Sequence, residues 1–196
     1  MLNLKSLQLN KLILIGASTG GPRDIKTIIK AIPEDFNASI VIAQHMGDEF
    51  ISSFTSHMNV TTYLDVKVAH NNESLQSKTI YVATNCCRIK QQSNELVFHI
   101  SDKTHNSYNP NINELFKSCS KFSNNIDTLA CILTGIGDDG AKGMLELVNH
   151  NTKCISANKA SSAVYGMPLR AQEVSSKVQS LSLSEISNKI NQFGAQ

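Results

Sequence analysis

Lys11-Leu12-Ile13-Leu14-Ile15-Gly16-Ala17-Ser18-Thr19-Gly20-Gly21-Pro22 decides how this chain folds. Leu12 to Ile15 are apolar with no polar alternation, the pattern of a strand covered on both faces in a parallel sheet. The glycines that follow mark a tight turn. Pro22 stands where a helix can begin, because the first helical turn leaves its N–H groups unpaired in any case. Ile25, Ile28, Ile29 and Ile32 then recur at helical spacing until Pro33 ends the pattern.

The same unit recurs along the chain. Ser39-Ile40-Val41-Ile42-Ala43 reads as a second buried strand, followed by Gln44-His45-Met46-Gly47 and a helix carrying Phe50, Ile51, Phe54 and Met58. Thr128 to Leu133 is another, followed by Thr134-Gly135-Ile136-Gly137-Asp138-Asp139-Gly140 and a helix from Ala141 to Val148. Between them lie an alternating stretch (Leu64, Val66, Val68), a strand at Thr79–Ala83 and a hairpin over Arg88–Ile100 with Ser93-Asn94 at its turn. Asn109-Pro110-Asn111 precedes a helix with Ile112, Leu115, Phe116 and Cys119. Lys153–Ser156 reads as a short strand, Ser161–Gln172 as helical pieces interrupted by Gly166 and Pro168, and Leu183, Ile186 and Ile190 as a final amphipathic helix.

Strands alternating with helices predict an α/β fold: a doubly wound, mainly parallel sheet with helices on both faces, plus a β-hairpin. The expected organisation is a leader or linker stub over 1–10 and a single domain over 11–196. Right-handed crossovers place every strand-to-helix loop on one edge of such a sheet. Sites lie there, at the carboxyl ends of the strands. The three glycine-marked turns are therefore expected to converge.

Bulk properties narrow the classes. The chain has 196 residues, enough for one domain with a sizeable core, and a formal charge of only +2. Its Lys and Arg residues are scattered, with no basic stripe interleaved with aromatics, so nucleic acid is not an expected partner. No apolar run approaches membrane length, and the start lacks a signal-peptide core. The five cysteines, Cys86, Cys87, Cys119, Cys131 and Cys154, form no C-x-x-C pair. They fit a reduced, cytoplasmic protein without disulfides. Oligomeric state is not legible.

The turns carry chemistry. Gly16-Ala17-Ser18-Thr19-Gly20 fits G-x-S-x-G, a nucleophile held on a sharp strand-to-helix turn. A helix starting near Gly20 would aim unpaired N–H groups at the serine, where an oxyanion would form. The competing reading is a phosphate-binding turn of a nucleotide fold. Against it, the spacing is neither G-x-G-x-x-G nor a P-loop, and the second strand ends in Gln44-His45 where a dinucleotide fold needs Asp or Glu. Of six histidines, only His45 both follows a strongly buried strand and precedes a glycine turn. An imidazole there could take the serine proton and return it to a leaving group. Asp139 could fix the imidazole tautomer. Asp138 competes on spacing alone, and Asp139 could instead cap the Ala141 helix. No ligand cluster accompanies the two aspartates, so neither a metal nor a cofactor is expected. The chain order Ser…His…Asp differs from the Ser…Asp…His of the α/β-hydrolases.

These segments resemble the catalytic domain of the CheB-type protein-glutamate methylesterases of bacterial chemotaxis. The likeness lies in Gly16–Pro22, Gln44-His45-Met46 and Leu133–Ala141, with support from Leu115-Phe116, Ser118 and Ala160–Pro168, and covers Lys11 to about Phe193. It implies that Ser18 is the nucleophile, His45 the base and Asp139, in preference to Asp138, the third member. It implies hydrolysis of glutamyl methyl esters on the cytoplasmic helices of methylated chemoreceptors, with glutamine deamidation as a related activity. Backbone N–H groups at Thr19 and Ile136 are the oxyanion candidates. A related esterase acting outside chemotaxis and a nucleotide- or phosphate-binding domain are the alternatives.

The chain also departs from the family pattern. Ile136 stands where the family commonly has Met, and Gly47 where it often has Pro. Ala83-Thr84-Asn85-Cys86-Cys87 stands where Ala-Pro-Gly is frequent. These changes bear on the rim of the cleft. About ten residues precede the first strand, where the family usually carries a phosphorylatable receiver domain. Either the chain is trimmed or it is not regulated by phosphorylation.

Overall fold

Parallel pairing spreads to both sides of β1 (Lys11–Ala17). The computed structural model describes residues 9–102 and 108–195. On one side of β1 lie β2 (Ser39–Gln44), β4 (Thr79–Val82) and β3 (Asp65–Val68). On the other lie β7 (Asp127–Ile132), β8 (Lys153–Ala157) and β9 (Gln179–Leu181). All seven strands run parallel. The hairpin, β5 (Cys86–Gln92) and β6 (Glu95–Ser101), forms its own antiparallel sheet.

The unalternating apolar strands are explained by cover on both faces. Leu12 and Leu14 point into one core, with Ile112, Leu115 and Phe116 of α3 (Ile112–Ser120) and Met144 and Leu147 of α4 (Ala141–Asn149). The hairpin closes that layer with Ile89, Leu96 and Phe98. Ile13 and Ile15 point the other way, towards Ile25, Ile28 and Ile29 of α1 (Gly21–Lys30) and Ile186 and Ile190 of α6 (Leu183–Gly194). On that face α2 (Asp48–Asn59) adds Ile51, Phe54 and Met58. Each such side chain contributes about 1.5–3 kcal/mol on burial, so β1 anchors both layers.

The winding places the site. After β1 the chain builds outward through β2, then crosses back to β7 on the opposite side. The order reverses between β1 and β7, and a crevice opens there at the carboxyl ends of the strands. Register keeps the strand ends level: Ala17 pairs with Gln44, and Gly16 with Ile132.

The details differ from the pattern reading in three places. The hairpin begins two residues before Arg88, so Cys86 and Cys87 belong to β5 and are buried. β9 escaped notice because three residues with one apolar side chain give no periodic signal. Pro168 does not interrupt a helix: it lies in the first turn of α5 (Met167–Glu173), where its missing N–H costs nothing. Residues 1–8 of the expected 1–10 stub lie outside the described residues, but Leu9 is buried and the Asn10 carbonyl accepts from Asp127 N at 3.0 Å. Among the described residues no helix is long and apolar enough to cross a membrane.

Candidate active site

Ser18 is the first residue beyond β1. Its N–H donates to the Thr134 carbonyl at 2.9 Å, which carries the β1–β7 pairing one step past the strands. Its carbonyl accepts from Gly21 N at 2.9 Å, closing the turn into α1. Gly20 makes that turn possible, with φ +86°, and a Cβ there would lie 2.8 Å from Ala163 Cβ. Thr134 ties the pieces together. Its buried hydroxyl donates to the Thr19 carbonyl at 2.9 Å and accepts from Val164 N at 2.8 Å. The Ala160–Pro168 segment thus braces the serine turn, and the Gly135 N–H donates to Val164 O at 3.0 Å.

His45 is the first residue beyond β2, and its N–H donates to the Ala17 carbonyl at 2.9 Å. The main chain thereby sets the imidazole beside the serine turn. The ring Nε2–H donates to Asp139 Oδ2 at 2.8 Å, with His45 and Asp139 side chains 12% and 0% exposed. Nδ1 is the ring nitrogen left for a second partner. Among the described residues no hydrogen bond joins Ser18 Oγ to His45. The Tyr108 ring stacks on the imidazole, with centroids 4.9 Å apart and planes 2° from parallel.

Asp139 sits where two helices start. Oδ2 also accepts from Ile112 N at 2.8 Å, and Oδ1 accepts from Asn113 N at 2.9 Å and Gly140 N at 3.0 Å. Ile112 and Asn113 open α3, so the positive end of that helix faces the carboxylate. Four N–H donors saturate an acceptor-only group, the arrangement that suits a charged carboxylate. The helix whose N–H groups Asp139 caps is α3 and not the Ala141 helix, whose preceding residue Gly140 alone donates to it. Asp138 is exposed.

Thr19 and Ile136 flank the serine from two loops. Among the described residues neither N–H makes a hydrogen bond. Ile136 is 62% exposed between Gly135 and Gly137. On the rim beside His45, Pro22, Met46, Phe50, Phe54 and His57 line an apolar groove. A cavity of about 540 Å³, lined by Lys11, Asp127, Lys153, Lys177 and Lys189, lies at the amino ends of the strands, across the molecule from these loops.

The pattern reading missed Gln44, Tyr108 and Thr134 as parts of this site. Gln44 and Thr134 stand beside the quoted turns, and their contacts are visible only in three dimensions. Tyr108 comes from an irregular segment that gives no periodic signal. Of the other histidines, His57 lines the groove beside the site and accepts from Lys26 Nζ at 2.7 Å, and His150 Nδ1 bonds Glu146 O at 2.9 Å away from this crevice; His105 lies outside the described residues.

A serine, a histidine and a buried carboxylate at three neighbouring strand ends are the layout that serine hydrolases use on unrelated folds. Comparison with known proteins narrows the class. The chain belongs to the CheB methylesterase family, whose model matches residues 13–190. It is 32% identical over 180 residues to a protein-glutamate methylesterase/protein-glutamine glutaminase of Mesorhizobium japonicum, covering 92% of this chain and 53% of that protein. It is 33% identical over 165 residues to one from Bacillus subtilis, covering 82% of this chain and 46% of that one. The crystal structure of the Thermotoga maritima CheB methylesterase catalytic domain superposes with a TM-score of 0.86 at 30% identity, covering 93% of this chain and 98% of that domain. The chain spans about half the length of the curated relatives it matches.

Proposed function

We propose that residues 11–196 are the catalytic domain of a protein-glutamate methylesterase. It acts in the cytoplasm on the methylated cytoplasmic helices of a chemoreceptor, with deamidation of receptor glutamines as a second activity. The observation that carries this reading is the 2.8 Å bond from His45 Nε2 to Asp139 Oδ2, at a strand end adjoining Ser18, in a chain of this family.

In the proposed reaction, Ser18 Oγ attacks the ester carbonyl carbon as its proton passes to His45 Nδ1. Asp139 holds the ring by Nε2 and stabilises the imidazolium. The carbonyl oxygen becomes an oxyanion facing the Thr19 and Ile136 N–H groups. Collapse of the intermediate breaks the bond to the methoxy oxygen, and His45 returns the proton so that methanol leaves. Water, deprotonated by His45, then resolves the acyl-enzyme to glutamate and free Ser18. With a glutamine substrate the leaving group is ammonia. Protein side chains and main-chain donors supply every step.

Two features support a protein substrate. The serine turn opens on a surface crevice, and the apolar groove of Pro22, Met46, Phe50 and Phe54 continues the rim beside His45. The test is release of labelled methanol from membranes bearing methylated chemoreceptor. The wild-type chain is expected to release it, and Ser18→Ala to lose about a millionfold in kcat. Full activity in Ser18→Ala would overturn the reading. Release from small esters but not from receptor would place the activity outside chemotaxis.

A further inference from the structure

We propose that Gln44 is a positioning residue that aims the Thr19 N–H at the oxyanion. The inference rests on the proposed role of Ser18 and adds a residue to it. Gln44 closes β2 and is 2% exposed. Its side-chain Nε2 donates two hydrogen bonds, one to the Ser18 carbonyl and one to the His45 carbonyl, each at 2.9 Å. One amide therefore clamps the main chain of the nucleophile to the main chain of the base.

The consequence lies in the peptide plane. The Ser18 carbonyl accepts from Gln44 Nε2 and from Gly21 N, so both of its lone pairs are engaged. In a planar trans peptide the carbonyl of Ser18 and the N–H of Thr19 point in opposite directions. Fixing the carbonyl towards Gln44 and α1 fixes the Thr19 N–H on the other side of the turn. That N–H makes no hydrogen bond among the described residues. Without the clamp the Gly21 N–H alone holds that carbonyl, and the Thr19 donor loses its aim.

The molecule gives up stability to keep this amide. Among the described residues Gln44 Oε1 is buried without a hydrogen-bond partner, an arrangement that native structures seldom keep. The donor half of the side chain is in use and the acceptor half is idle. A methionine of similar length would fill the space with no orphaned oxygen. A Cβ at Gly21 would stand 2.1 Å from Oε1 and 2.7 Å from Ala17 Cβ, so the clamp and β1 both require glycine there. Gln44→Leu, like Gln44→Met, removes both donors and leaves Gly21 and Ala17 untouched.

The experiment follows the labelling of Ser18 by an alkyl fluorophosphonate, whose tetrahedral adduct puts an oxygen in the oxyanion position, with thermal melting and kcat and KM on methylated receptor recorded for each variant. Gln44→Met is expected to melt normally, label about a hundredfold more slowly and lose a similar factor in kcat, as for a lost oxyanion donor, with KM unchanged. Gln44→Leu is expected to reproduce the loss, since both variants remove the same two donors. Wild-type labelling in Gln44→Met overturns the proposal and leaves the Ser18 reading standing. Equal labelling of wild type and Ser18→Ala overturns the Ser18 reading itself. Should Gln44→Met fail to fold, Gln44→Leu decides: wild-type kcat in that variant overturns the proposal, and a kcat loss at constant KM supports it.

Discussion

The ring of Tyr108 lies flat on the imidazole of His45, with centroids 4.9 Å apart and an interplanar angle of 2°. One face of the proposed base is thereby covered by an aromatic side chain that is itself 45% exposed. With Asp139 holding one edge, the imidazole is restrained both in its plane and across it.

Tyr108→Ala should free the ring and lower kcat about three- to tenfold, the value of one aromatic pair. Tyr108→Phe should keep nearly all activity, because the stacking face and not the hydroxyl does the work. The His45 ring protons give an independent readout by NMR. They should be shifted by the Tyr108 ring current in wild type and Tyr108→Phe, and lose that shift in Tyr108→Ala. Unchanged kinetics and an unchanged shift in the alanine variant would show that the stack plays no part.

The two adjacent aspartates should separate sharply. Asp139→Asn replaces an oxygen that accepts backbone donors with an amide NH2 that cannot accept, leaving buried N–H groups of α3 or Gly140 unpaired. A stability loss of about 1–3 kcal/mol is expected, on top of a loss in kcat of about ten-thousandfold from the misplaced tautomer. Asp138 is exposed, and Asp138→Asn should change stability by no more than about 0.5 kcal/mol and keep activity. Urea melts and methanol release measure both. Loss of activity confined to Asp138→Asn would move the role by one residue.

How far the sequence could be read follows from where the physics is local. β1, β2 and β7 announce themselves because burial on both faces demands unbroken apolar runs, and α1 because isoleucines recur at its own period. That Ser18 and His45 stand at neighbouring strand ends was legible because a glycine turn beyond a buried strand has a known place in a parallel sheet. Asp139 was not separable from Asp138 on spacing, since the choice depends on which carboxylate meets the start of α3, a segment 27 residues away. β9 was illegible because its pairing with β8 is a backbone matter that its side chains do not encode. Gln44 and Tyr108 act through contacts across chain segments, which no linear pattern carries.

The buried thiols predict an alkaline weakness. Burial pushes Cys119 and Cys154 up to about 12, from the ordinary value of 9.0. A thiol raised on folding contributes stability that is whole below about pH 9 and is lost as pH climbs towards 12, because the unfolded chain releases the proton first. The urea midpoint should therefore fall between pH 8 and 10.5 (both about, as test points), and less steeply once both cysteines are replaced by alanine. Native protein should also resist alkylation at pH near 8 and react after unfolding. Identical alkaline slopes in wild type and the double variant would remove the thiols from the explanation.

Gly47 offers a stabilising change beside the site. Its φ of −65° and ψ of 146° lie where a pyrrolidine ring holds the backbone. Its N–H makes no hydrogen bond among the described residues, so a proline there forfeits no donor. The nearest atoms a Cβ would meet belong to the Glu49 carboxylate, at 2.5 Å, and that carboxylate is the far end of a flexible side chain that can swing aside. The gain comes from the unfolded chain, which loses freedom that it no longer surrenders on folding. Gly47→Pro should therefore raise stability by about 0.4–1 kcal/mol, seen as a rise in Tm of about 1–4 °C for a chain of this size. A fall in Tm would mean that Met46, which must take an extended backbone before a proline, is held in another conformation by the groove it lines.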